Sequence, residues 1–187
     1  MIDKPDIVRM TIRSYEMEFA YAMAEAAKIG GVSHVRGDEE RGECLSEDQI
    51  VGQVGTLAGH RFMFGNANDY KVTRWYANRN PTVGDIGYDV TGCNVDFKTS
   101  LMRSPDRPPL DYNLLVRPRE RHDDWIYMLL LVEKYSRAAA SVLLVGWAST
   151  RMLPDEVATG GAFSGAYVLP ARHLNPLMPL RWWAEFD

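Results

Sequence analysis

The chain has 187 residues, 46% of them hydrophobic and 25% charged, with a formal net charge of −4. That length supports a single domain with a sizeable core, and the composition is that of an ordinary globular protein rather than a disordered or fibrous one. No apolar run reaches the length of a membrane span, and the polar, acidic start Met1–Asp6 lacks the basic-then-apolar pattern of a signal peptide, so the expected setting is the cytoplasm.

Two cysteines, Cys44 and Cys93, are too few for a disulfide framework, and with four scattered histidines they make no zinc spacing. The charge is unevenly spread. Residues 1–60 hold 6 Lys+Arg against 11 Asp+Glu, whereas residues 61–121 hold 10 against 7, so the basic excess lies mid-chain. A local patch of this kind is what phosphate binding needs, whatever the overall charge. Its members include Arg74, Arg103, Arg117 and Arg119, the candidate nucleic-acid contacts.

In chain order, residues 7–29 are rich in helix formers up to Gly30-Gly31 and predict a first helix. A charged loop follows over 36–42. Ser46-Glu47-Asp48-Gln49 then forms a capping box that opens a second helix running to about Gly59. Gln49, Gln53, Thr56 and His60 recur there at helical spacing as a polar stripe, with Ile50, Val54 and Leu57 toward the core. The aromatics Tyr70, Trp75 and Tyr76 are read chiefly as core, with base stacking beside Lys71 and Arg74 as the alternative.

Residues 84–100, Gly-Asp-Ile-Gly-Tyr-Asp-Val-Thr-Gly-Cys-Asn-Val-Asp-Phe-Lys-Thr-Ser, carry the most chemistry. They read as two short strands around a turn at Thr91–Asn94. Side chains alternate along a strand, so Asp96 and Lys98 share one face and Phe97 points to the other. With that turn Asp89 falls roughly opposite Asp96, and two facing carboxylates call for a cation between them, of which Mg²⁺ is the natural candidate.

After the hairpin comes a proline-rich loop at 104–109. Strands are predicted at Asn113–Val116, Trp125–Val132, Ser141–Ala148 and Tyr167–Pro170, and a leucine-rich tail ends the chain. Gly160-Gly161 and Gly165 match no phosphate-binding fingerprint.

Asp-x(n)-Asp-x-Lys on a hairpin, followed by Thr99-Ser100, resembles the core of the PD-(D/E)xK nuclease superfamily, and the layout of residues 46–180 resembles its small phage and prokaryotic members. The resemblance implies an α/β, restriction-endonuclease-like fold with a central mixed sheet flanked by helices. One domain would span 1–187, with an N-terminal helix and charged loop to residue 45 and the core from 46.

The resemblance further implies a metal-dependent nuclease acting on DNA. Asp96, the main-chain carbonyl of Phe97 and either Asp89 or Asp85 would hold Mg²⁺, with Mn²⁺ able to substitute, and Lys98 would orient water or neutralise phosphate. A pair of two-fold-related copies would suit cutting of a duplex. Gln49-x-x-Gly52-x-x-Gly55 resembles the helix that precedes the family's hairpin, but Thr56 stands where a Glu is expected. Glu47, Glu43 or a first-helix glutamate would then supply that carboxylate, or the site manages without it. Two other readings stay open: a nuclease-fold module without catalysis, and an unrelated α+β protein self-associating through Trp182 and Trp183.

Overall fold

A computed structural model describes residues 6–29, 47–65, 89–90 and 93–178. The chain is α/β, and its centre is a mixed four-stranded sheet. Val8–Ile12 (β1), Ala140–Ser149 (β5), Ile126–Tyr135 (β4) and Val95–Leu101 (β2) lie side by side in the order β1-β5-β4-β2. β4 runs antiparallel to β5 and parallel to β2, and β1 pairs antiparallel with β5. Helices Ser14–Ile29 (α1) and Glu47–Phe64 (α2) cover one face.

Alternation along the strands sorts the core into two layers. Met128, Leu130 and Val132 of β4 and Val142 and Leu144 of β5 join Met17, Val54, Leu57 and Phe62 on the helix side. Tyr127, Leu129, Leu131, Leu143 and Val145 face the other way, where they meet Leu114, Val116 and Leu169. That second layer is supplied by a small antiparallel sheet of Asn113–Val116 (β3) and Tyr167–Pro170 (β6). Helices therefore flank one face of the central sheet and a β-pair the other, among the described residues. Both of the long apolar strands are buried on two sides, which is why each reads as a near-continuous hydrophobic run.

The four strands predicted from 113 onward are all present, with β3 and β6 paired to each other in a separate sheet. The first helix is shorter than expected because residues 8–12 form a strand. Val8, Met10 and Ile12 alternate with Arg9 and Thr11, and this period of two outweighs helix propensity once β5 offers an edge to pair with. The break is held by Glu16, whose carboxylate accepts the Arg13 amide at 2.8 Å and the buried Arg61 guanidinium at 2.9 Å. Arg61, in the mid-chain basic excess, is thus committed to the core. Asp85, Glu43, Arg74, Ser46, the 66–80 aromatics and Trp182-Trp183 lie outside the described residues. Among those described, no helix is long and apolar enough to cross a membrane.

Candidate active site

Among the described residues β2 is the edge of the central sheet, and its two faces do different work. Val95 and Phe97 pack among α2 residues, and the Thr99 side chain meets the helix at Gly55. A Cβ on Gly59 would come within 2.6 Å of the Phe97 ring, so the helix rides directly on the strand. Gly52, by contrast, faces open space. Close approach thus belongs to Gly55 and Gly59, spaced one turn apart.

On the opposite face Asp96 and Lys98 stand together. Lys98 Nζ lies 2.6 Å from Asp96 Oδ2 and 2.9 Å from Glu120 Oε2, so one ammonium is bracketed by two carboxylates. All three side chains are largely buried, with 12% to 28% of each exposed. Burial acts to lower the Lys98 pKa, but the charges of Asp96 and then Glu120 outweigh it and hold the ammonium above the usual lysine range. Burial likewise acts to raise the Glu120 pKa, and Lys98, with help from the Arg117 amide, holds it below the usual carboxylate range.

Glu120 was not among the residues singled out from sequence. It closes a 3-10 turn, Pro118–Glu120, just after β3, and its carboxylate also accepts the Arg117 amide at 3.2 Å. The turn is anchored from below by Tyr127, which pairs in register with Asp96. The Tyr127 hydroxyl donates to the Glu120 carbonyl at 2.8 Å and accepts from the His122 amide at 2.9 Å. The available sequence signal was slight: a Glu three residues after Arg117 with Pro at the first turn position.

Asp89 holds the outer edge of β2. Its amide donates to the Val95 carbonyl at 2.9 Å, and its Oδ2 accepts the Phe97 amide at 2.7 Å, so it straddles Asp96 along the edge. Its Oδ1 lies 3.5 Å from the Thr56 hydroxyl. His60 Nε2 is 2.6 Å from the Asp89 carbonyl oxygen, which requires the proton on Nε2. The hairpin closes tighter than expected: Val90 faces Cys93, and the Cys93 amide donates to the Val90 carbonyl. Residues 91 and 92 lie outside the described set.

The polar stripe of α2 is real but faces inward. Thr56 and His60 are buried against the Asp89 segment, while Gln49 and Gln53 continue it, half-buried, toward the helix start. Glu47 is engaged by Arg103 at 2.7 Å in an exposed pair. Arg117 and Arg119 stand on the Lys98 side instead, lining a cleft of about 770 Å³ together with Lys98, Ser100 and Glu120.

Asp89, Asp96, Glu120 and the Phe97 carbonyl are hard oxygen donors, the type that suits Mg²⁺ or Mn²⁺ over soft-ligand metals. Among the described residues no three His, Cys, Asp or Glu side chains gather into a cage. A donor set of this size fits an ion that keeps several waters and takes substrate phosphate oxygens, as Mg²⁺ does. No protein-family model matches the chain, and neither a curated protein nor a solved structure does.

Proposed function

We propose that this protein is a metal-dependent nuclease of restriction-endonuclease-like fold, hydrolysing phosphodiester bonds of DNA on the Asp96–Lys98 face of β2. The observation that carries the reading is Lys98, bracketed by Asp96 and Glu120, in the wall of a cleft that Glu120, Arg117 and Arg119 also line. Asp96, the Phe97 carbonyl and Asp89 (with Asp85 as the alternative) would hold Mg²⁺ or Mn²⁺.

When bound, the metal lowers the pKa of a water and offsets charge on the phosphate. The chain's own residues do the rest. Lys98 is protonated at neutral pH, so it serves as a cation that receives a phosphate oxygen rather than as a base. Asp96 and Glu120 hold that ammonium in place between turnovers. Arg117 and Arg119 orient the flanking phosphates. Two-fold pairing of copies would let one assembly cut both strands.

Asp96→Asn tests the ligand assignment. Calorimetry is expected to show weaker Mg²⁺ binding than in the wild type, alongside lost cleavage; equal affinity would remove Asp96 from the metal shell. The second reading, a nuclease-fold module that binds nucleic acid without cutting it, draws on Thr56, whose hydroxyl stands beside Asp89 where the family resemblance asks for a carboxylate. It predicts salt-dependent binding with no metal-dependent cleavage.

A further inference from the structure

The cleft beside Lys98 has one wall that phosphate chemistry does not explain. Residues 158–166 form a compact loop. Its neck is closed by two backbone hydrogen bonds, Ala158 amide to Ala166 carbonyl at 2.9 Å and Gly165 amide to Ala158 carbonyl at 2.8 Å. Gly161 and Gly165 adopt φ of +72° and +80°, a region that side chains rarely enter, so the loop's path depends on them. At its apex, flanked by small residues, Phe163 lines the cleft with 38% of its surface exposed. An aromatic face in the wall of a charged cleft offers a platform on which a flat ring can stack.

The same cleft is lined by cations. Arg117 and Arg119 are about half exposed, and the nearest carboxylate oxygens, both of Glu120, are 3.9 and 4.0 Å away. Among the described residues neither is in a tight ion pair, so both have donors to offer an anion. Ser100 and Asn113 add hydroxyl and amide groups to the lining. At about 770 Å³ the cleft lies in the range of sites that enclose a small organic ligand, about 300–1,000 Å³.

We infer that this cleft seats an unpaired nucleotide, its base stacked on Phe163 and its phosphates on Arg117 and Arg119, so that the strand is engaged in single-stranded or frayed form. A base within a duplex has both faces covered by its neighbours; only an unstacked one can present a face to Phe163. The inference rests on the nuclease reading for what happens next at Lys98, but the binding it describes needs no metal.

The test is therefore run in EDTA. Fluorescence anisotropy would compare a labelled oligothymidylate with a blunt duplex of equal length, for the wild type, Phe163→Ala, Phe163→Leu and Phe163→Trp. The single strand is expected to bind more tightly than the duplex. Phe163→Ala and Phe163→Leu should each weaken it about 5- to 100-fold, the range for losing one base–aromatic stack. Phe163→Trp should retain it, and duplex binding should be unmoved throughout.

Leucine keeps the apolar bulk without the ring, so full binding by Phe163→Leu would overturn the stacking. Equal affinity for both forms, indifferent to residue 163, would overturn the inference while leaving metal-dependent cleavage standing. Binding of neither form would overturn it together with the nucleic-acid half of the nuclease reading.

Discussion

Lys98 carries the electrostatics of the site. With its ammonium gone, Asp96 and Glu120 would confront each other in a largely buried setting, so Lys98→Met is expected to destabilise the metal-free protein by about 1–3 kcal/mol at neutral pH. The pH dependence follows from the shifts. Glu120 is held below the carboxylate range, so its contribution is present at neutral pH and fades as pH falls through that lowered value. Lys98 is held above the lysine range, so its contribution is present below about pH 10 and fades as pH rises beyond. Urea midpoints of the wild type in EDTA should show a plateau with both flanks, and Lys98→Met should flatten both. An unchanged alkaline flank in the variant would detach it from Lys98.

Tyr127 acts through Glu120. Tyr127→Phe leaves the His122 amide without its acceptor and the Glu120 carbonyl without its donor, a loss of about 1–2 kcal/mol by denaturant unfolding. Sequence signals for the pair were slight: a Pro-headed turn before Glu120 and an apolar strand run around Tyr127. Their partnership joins a turn at 118–120 to a strand at 126–135, and only the folded sheet brings that turn over Lys98. Asp96 and Lys98, by contrast, were legible because strand alternation alone puts them on one face.

At the scale of elements, the decisive contact is α2 lying on β2. Alanine at Gly55 would gain up to about 1 kcal/mol of helix propensity, but its methyl would overlap the Thr99 side chain. Thr99 is β-branched and set in a strand, so it cannot swing aside cheaply. Gly55→Ala is expected to lose about 1–3 kcal/mol net, read as a lower Tm, whereas Gly52→Ala, with nothing near its Cβ, should be neutral or stabilising. Equal behaviour of the two variants would contradict this packing.

The same contact shows what periodicity can and cannot supply. The strands from 113 onward were readable because apolar runs bounded by turn residues leave few alternatives. The strand at 8–12 was not, because five alternating residues ahead of an alanine-rich helix look like its first turns until β5 is there to pair with. Which sheet β6 joins is decided by packing on Leu129, Leu131 and Leu143, a long-range choice that local pattern does not encode.

For the whole molecule, three layers put the Asp96–Lys98–Glu120 cluster on the side away from the helices. The sheet's second face packs against β3 and β6, and the cleft is lined from β2, β3 and the 158–166 loop, with Lys98, Arg117 and Arg119 among its residues. The overall charge of −4 is then no obstacle, because the cleft's charges are local. Removing Arg117 or Arg119 should weaken DNA binding and lower the slope of log affinity against log salt by about 1 each. Arg103, tied to Glu47 and absent from the cleft lining, should change that slope less. Equal slopes for all three would place the binding surface elsewhere.

The most direct test of the account is the nicking of supercoiled plasmid by the wild type and by Lys98→Ala, each with Mg²⁺ and with EDTA. Cutting by the wild type that needs Mg²⁺, and that disappears in Lys98→Ala while DNA binding persists, is the predicted result. Undiminished cutting by Lys98→Ala, or none by the wild type with any divalent metal, would contradict it.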